Sequence, residues 1–321
     1  MTAPPTWWPA TASSCFEDLV AYRLVGASAC ADRITASLVL IARESEERGR
    51  ELSVDLADAA RLFCALKPDT ALYRNVSEAL SRAGASGRAR EVEAAAQYVA
   101  HYRRAAQASV VSRAHALLKD ADTLLLHDYS SMVERILHAL RADRPRRVVV
   151  TAGEPLGQGP KVARLAAAAG HHVTYTPDMS VARVIDDVDV FVTGVESFYL
   201  DGSLANTVGT TMLALLCREA KVPVVAPAET LKCDLARSSV SDASLTAQLL
   251  HPWPPDACMH DVDDDNVVRF VLDAVPAALT TTYVTERGTA EPADVSGLAR
   301  RAASELQKAL AAQTSDPQSH L

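Results

Sequence analysis

The chain has 321 residues, 49% hydrophobic and 22% charged, with a formal net charge of −8. That length supports a sizeable core in one large or two modest domains. The acidic balance argues against a nucleic-acid backbone as partner, and no uncharged apolar run reaches the ~18 residues that a membrane span needs. Six cysteines, Cys15, Cys30, Cys64, Cys217, Cys233 and Cys258, are scattered without a Cys-x-x-Cys pair. This favours reduced thiols in the cytoplasm over a disulfide frame or a zinc site.

The opening MTAPPTWWPATASS lacks the basic start and apolar core of a secretory signal. Residues 1–14 and 313–321 are rich in Pro, Ser, Thr and Gln, so both ends are expected to be poorly ordered. Trp7 and Trp8 are the exception, suited to packing the arm onto the body or onto a neighbour. From residue 16 to about 118 the periodicity is helical. Apolar residues recur at three- and four-residue spacing over 29–48, with Gly49 as a stop, and again over 54–66 and 71–83, with Pro68 between them. Residues 87–119, rich in Ala, Glu and Arg, predict one long helix.

After residue 122 the pattern changes to short apolar runs at 123–127, 147–151, 172–176, 189–194 and 223–226. Helical patterns at 130–140, 161–169, 181–185 and 210–220 separate them. Strands alternating with helices predict βαβ units with right-handed crossovers and a mostly parallel sheet. The fold class expected is α/β: a helical N-terminal domain over 15–119 and a Rossmann-like domain over 120–312. No repeat of 20–50 residues is visible.

Chemistry-bearing residues gather between 189 and 232. Glu196 follows the apolar run that ends in Gly194, Asn206 and Thr207 precede Gly209-Thr210-Thr211 at a helix start, and Glu229 and Lys232 follow the run at 223–226. Ligands of open parallel sheets bind beyond the strands' carboxyl ends. A helix beginning at Thr210 would offer free N–H groups to an anion such as phosphate. Other signals are weaker. Gly157-x-Gly159 has Val162 where a dinucleotide fingerprint needs its third glycine, so NAD is not expected. Asp261-Val262-Asp263-Asp264-Asp265 reads as a solvated charge run rather than a cation loop, and His171-His172 lacks a third ligand at metal spacing. No cofactor and no metal are expected.

The succession Gly194-Val195-Glu196-Ser197, Asp201-Gly202, Asn206, Gly209-Thr210, Val222-Pro223 and Ala228-Glu229-Thr230-Leu231-Lys232 resembles the sugar-phosphate isomerases related to translation initiation factor 2B. Further matches lie along the chain, in order: Gly26-Ala27, Lys67-Pro68-Asp69-Thr70, His127-Asp128-Tyr129-Ser130, Leu272-Asp273-Ala274-Val275-Pro276 and Val284-Thr285-Glu286-Arg287-Gly288. The family includes ribose-1,5-bisphosphate and methylthioribose-1-phosphate isomerases, and also the non-isomerase subunits of the factor itself. The resemblance implies a helical domain before a Rossmann-like one, and at least a dimer joined through the sheet domains.

It also implies site residues. Where the isomerases use a cysteine and an aspartate for proton transfer, this chain has Asp128 and Glu196. Glutamate reaches about 1.5 Å further than aspartate, and two carboxylates in one pocket would hold one protonated near neutral pH. The plainer alternative has Asp128 capping the helix that starts near Ser130 and Glu196 orienting a loop. The family's phosphate-binding arginines are Val25, Lys67 and Glu154 here, and its Asn-Lys pair is Asn206-Thr207. Gly26, Ala27, Lys67, Gln158, Asn206, Thr207 and Lys232 are therefore the expected substrate contacts, with Arg23 a possible replacement for a lost arginine. For Lys67 and Lys232 the alternative is a solvated surface amine. The function these residues imply is aldose–ketose isomerisation of a phosphorylated pentose by a homo-oligomer, with no nucleic acid or membrane as partner. The alternative is a non-catalytic sugar-phosphate or nucleotide-binding regulatory or assembly subunit.

Overall fold

The computed structural model describes residues 3–21, 23–24, 26–154, 156–240 and 271–315. The acidic run at 261–265, Cys258 and Val25 lie outside the described residues. Five helices come first: α1 (Ala10–Val20), α2 (Ala27–Glu47), α3 (Leu52–Leu66), α4 (Ala71–Gly84) and α5 (Ala89–Leu118). The first of them corrects the expectation of a poorly ordered start. Pro9 leads into α1, and Trp8, Ala12, Cys15, Phe16 and Leu19 are buried. Ala12, Cys15, Phe16 and Leu19 fall on one helical face, with Trp8 just before it, and the surrounding Ser, Thr and Pro conceal it in the composition. Trp8 stacks on Phe63 with centroids 5.5 Å apart, and the Arg50 guanidinium sits 4.3 Å above Trp7. Both tryptophans thus pack onto the body of the same chain.

α2 buries Ile34, Leu38 and Ile41 in the helical core with Phe63, Leu72 and Tyr73. Thirty residues of α5 span about 45 Å, enough to serve two cores. Its first half places Val92, Ala96 and Val99 among the helices. Its second half lays Val110, Ala114 and Leu118 against one face of the sheet, beside Leu124, Ile136 and Val148.

The strands of that sheet are β1 (Thr123–His127), β2 (Arg147–Thr151), β3 (His172–Thr176), β4 (Val190–Thr193), β7 (Val224–Pro227), β9 (Thr282–Thr285) and β10 (Gly288–Ala290), arranged β10-β9-β7-β4-β1-β2-β3. Every pairing is parallel except β10 on β9. β1 and β4 are buried along their whole length, as central strands covered on both faces are. Helices α6 (Ser131–Asp143), α7 (Gly159–Ala168), α8 (Thr210–Glu219) and α9 (Pro292–Ser315) complete the layers. A smaller antiparallel sheet joins β5 (Ser197–Phe198), β6 (Leu204–Thr207) and β8 (Leu272–Val275). The helix expected at 181–185 is a pair of 3-10 turns, Asp178–Arg183 and Ile185–Asp187. A segment this short, with Pro177 before it, closes i→i+3 bonds instead of an α-turn.

The strand order fixes where a ligand belongs. From β1 the chain steps to β2 and β3 on one side, then returns to lay β4 on the other side of β1. Crossovers diverge between β1 and β4, which makes their carboxyl ends the topological switch point of the sheet.

Candidate active site

β1 and β4 are in register, with His127 opposite Thr193, so the residues that follow them emerge side by side. Asp128 leaves β1 with φ 63°, a left-handed conformation that Asp tolerates because its short polar side chain bonds locally. The Thr207 hydroxyl donates to Asp128 Oδ2. Oδ1 is buried and, among the described residues, has no hydrogen-bond partner. Burial pushes the carboxyl above its ordinary range. The Thr207 hydroxyl, the Tyr129 N–H and His127 oppose the rise, and the charge of Glu196 adds to it. Glu196 is half-buried just past β4 and accepts a 2.6 Å hydrogen bond from Thr70 Oγ1. The capping alternative for Asp128 is corrected: Ser130 is the N-cap of α6 and accepts from the Val133 N–H.

The wall opposite comes from the α3–α4 turn. Ser197 Oγ donates to the Asp69 carbonyl at 2.6 Å and accepts from the Ala71 N–H at 2.7 Å, so a strand-end serine caps α4. Thr70, which precedes α4, is released to serve Glu196. Lys67 ends α3, half-buried. Cys30, fully buried on α2, is close enough to feel both Lys67 and Glu196. Burial pushes its thiol up, a hydrogen bond with Tyr73 and the Lys67 charge pull it down, and the Glu196 charge pushes it up again.

Lys232 is buried, not a solvated amine, and donates to the Val195 carbonyl. Burial pulls its ammonium below the lysine range, against the charges of Glu196 and Glu229. Glu229 is itself buried and accepts from Arg103 at 3.1 and 3.2 Å and from Gln107 at 3.3 Å. Asn206 is buried beside Gly194. With its amide turned to suit its neighbours, it donates to the Gly194 carbonyl at 3.2 Å and accepts from the Thr207 N–H at 3.2 Å and the Thr210 hydroxyl at 3.0 Å. It braces the loop that carries Glu196.

The remaining expected contacts lie further round. Gly26 and Ala27 open α2, and a Cβ at Gly26 would stand 3.8 Å from Tyr129 Cε1, while φ 92° at that position favours glycine. Gln158 precedes α7 with Nε2 turned to the Leu156 carbonyl at 3.4 Å. Arg23 is exposed and paired with Asp18 at 2.7 Å.

Two anion positions are already filled. The start of α8, expected to present free N–H groups, is closed by Asp273, whose Oδ2 accepts from Gly209 and Thr211, both at 2.9 Å. This corrects the phosphate seat expected there. Asp178 likewise takes the Gly153 and Glu154 N–H groups at 2.9 Å each. His127 is a structural neighbour: Nε2 lies 2.9 Å from the Val208 carbonyl and so donates to it, and Nδ1 lies 2.6 Å from Thr151 Oγ1. Gly209 is required against this ring, since a Cβ would stand 2.8 Å from His127 Nε2. His171 is also structural, accepting from the Arg146 N–H and facing the Leu137 carbonyl.

The structure therefore gathers Asp128, Glu196, Asn206, Thr207 and Lys232 at the switch point, with Lys67 on the facing wall. Gly26 and Ala27 adjoin through Tyr129, and Gln158 sits apart on its own loop. Thr70 and Cys30 were missed from sequence. Nothing local shows that the Thr70 hydroxyl turns to Glu196. A separate cavity of about 680 Å³ opens behind the same segment, lined by Arg74, Leu231, Asp234, Ala303 and Leu306 among others. Neither candidate carboxylate lines it.

These features define a doubly wound α/β protein with a carboxylate pair at its switch point, roofed by a helical N-terminal region. The chain belongs to the initiation factor 2 subunit family, whose sequence model matches residues 23–292. It is 26% identical over 277 residues to a ribose 1,5-bisphosphate isomerase of Haloferax volcanii, covering 84% of this chain and 85% of the relative. It is 29% identical over 192 residues to the translation initiation factor eIF2B subunit alpha of Dictyostelium discoideum, covering 57% and 59%. Among solved structures, the Pyrococcus horikoshii translation initiation factor eIF-2B superposes with a TM-score of 0.73 at 19% identity, over 88% of this chain and 98% of the other. The 5-methylthioribose 1-phosphate isomerase of the same organism gives 0.67 at 20% identity, over 92% and 88%. The family thus contains both sugar-phosphate isomerases and translation-factor subunits.

Proposed function

We propose that this chain is an aldose–ketose isomerase acting on a phosphorylated pentose or a related sugar phosphate. The observation that carries the proposal is the pairing of Asp128, driven toward its neutral form, with Glu196 on the adjacent strand end. Isomerisation moves a carbonyl from C1 to C2. A base removes the C2 proton and an acid supplies a proton to the carbonyl oxygen; the base then returns its proton to C1 of the resulting enediol, while the spent acid takes the proton of the C2 hydroxyl. No electron leaves the substrate and no cofactor is needed. Glu196, held by Thr70, takes the part of the base. Asp128, its carboxyl raised by burial and its Oδ1 unspent, takes the part of the acid. Lys67, Asn206, Thr207, Gln158 and the Gly26-Ala27 turn hold phosphate and hydroxyls, while Lys232 fixes the Val195 carbonyl beside Glu196. Nuclear magnetic resonance in deuterated water, run against a panel of pentose phosphates, tests this: deuterium should enter at C2 of the recovered aldose and at C1 of the ketose formed.

A second reading is favoured by Glu154 and Thr207, which lack the charge that the resembling isomerases have at those positions. In it the chain is a regulatory or assembly subunit that binds a sugar phosphate or nucleotide without turnover. Binding without C2 exchange would select it. Self-association belongs to either reading. β3 is a sheet edge, with Tyr175 on it and Met179 in the turn after it both exposed, and light scattering should report a dimer or larger.

A further inference from the structure

Cations near the strand ends are mostly committed. Arg103 is bound to Glu229 and Asp32. Arg237 holds Asp69 and Asp234, Arg74 holds Asp234, and Lys232 is spent on the Val195 carbonyl. Nearby N–H groups of the Gly153–Glu154 turn and of the α8 start are closed by Asp178 and Asp273. Lys161 differs. It lies in the first turn of α7, at the carboxyl end of β2, and is half-buried. Its ammonium rests 3.3 Å from the centroid of the Tyr129 ring. Among the described residues it has no carboxylate partner. Tyr129 is fixed by its hydroxyl, which donates to Glu134 at 3.0 Å. The residue before Tyr129 is Asp128, and Tyr129 Cε1 lies 3.8 Å from where a Cβ on Gly26 would stand.

We propose that Lys161, held on Tyr129, is the cation that receives the phosphate of the substrate bound over Asp128 and Glu196. The inference rests on the isomerase reading for the identity of that substrate. A face-on aromatic ring positions an ammonium without neutralising it, so the charge stays available to an incoming anion while its location is set. A carboxylate partner would have cancelled it. The ammonium acts as a point charge with three donors, suited to one terminal phosphate at the rim. The ligand class is accordingly a phosphomonoester whose sugar carbons reach inward past Tyr129 to the two carboxylates.

Calorimetric titration of the full-length protein with ribose 5-phosphate, ribose and inorganic phosphate tests the assignment in the parent, Lys161→Met and Lys161→Arg. Removal of the charge is expected to weaken ribose 5-phosphate at least about 10-fold, the scale of one charge-assisted hydrogen bond. Lys161→Arg should recover most of that loss, and ribose affinity should not change. The salt dependence of ribose 5-phosphate binding should flatten in Lys161→Met alone. Equal affinity of the parent and Lys161→Met for ribose 5-phosphate would overturn the assignment, as would a parent that binds neither ribose 5-phosphate nor inorganic phosphate. The C2 exchange assay is scored separately. A parent that binds through Lys161 but never exchanges C2 keeps this assignment and loses isomerisation.

Discussion

Thr70 donates its hydroxyl to Glu196 Oε1 over 2.6 Å, and this bond fastens the helical N-terminal region to the candidate base. A residue in position to cap α4 gives up that role, while Ser197, next to Glu196 in sequence, caps the helix instead. The exchange couples the start of α4 to the carboxylate. It gives Glu196 one fixed donor on one oxygen and orients the other.

Substitution of either carboxylate tests the chemistry. Glu196→Gln and Asp128→Asn are each expected to lower turnover at least about 100-fold, the usual scale of acid–base catalysis, with the circular dichroism spectrum unchanged. Asparagine tolerates the left-handed backbone at 128, so loss of activity there would not reflect strain. A folded Glu196→Gln enzyme with parental turnover would remove Glu196 from the mechanism.

Asp128 also predicts a pH dependence of stability. Its pKa is raised in the folded state, first by burial. Below the ordinary aspartate value the group is protonated whether folded or not. As pH rises through the folded value, the unfolded chain has already ionised and the native state is penalised. Parent stability should therefore fall as pH rises from about 4 toward the folded value, and Asp128→Asn should fall less. Urea midpoints at a series of pH values measure both slopes, and parallel slopes would refute the burial effect.

Thr207 offers an independent check on the same proton. Its hydroxyl bond lowers the Asp128 pKa, so Thr207→Val should raise it further. With Asp128 as the acid, the alkaline limb of the kcat profile should move to higher pH. A shift to lower pH, or none, would assign that limb to another group.

Arg103 is the expected stability hot point. It is buried against buried Glu229, and Arg103→Met strands that carboxylate. A loss of about 3–5 kcal/mol is expected, the cost of breaking a buried pair, read by urea unfolding. A loss below about 1 kcal/mol would mean that Glu229 finds its charge balance elsewhere.

Asp273→Ala should cost about 1 kcal/mol, as helix caps do, and should open the α8 start to anions. Amide shifts of Gly209 and Thr211 on adding phosphate are expected in the variant and not in the parent. Shifts in the parent would show that phosphate displaces Asp273.

Much of this was legible in the sequence because it is local. The apolar runs of β1 and β4 mark two buried parallel strands, and Asp128 and Glu196 follow them directly, so their emergence at one edge could be read off. What failed depends on distant chain. The cap on α8 comes from Asp273, 64 residues from Gly209. For Lys232 the local sequence left a ligand contact and a surface amine both open, because its burial is supplied by other segments. α1 was hidden because Ala12, Cys15 and Phe16 form a face only when wound into a helix, amid residues typical of a loose tail.

The Ser197 cap has a consequence for how the chain is made. The Ala71 N–H that it closes lies 126 residues earlier. At about 5–20 residues per second, α4 leaves the ribosome roughly 6–25 seconds before its terminating side chain exists. Through that interval the nascent helix start must be satisfied by water or a chaperone. Synthesis therefore completes the helical region's attachment to the sheet late, and Thr70 meets Glu196 only then.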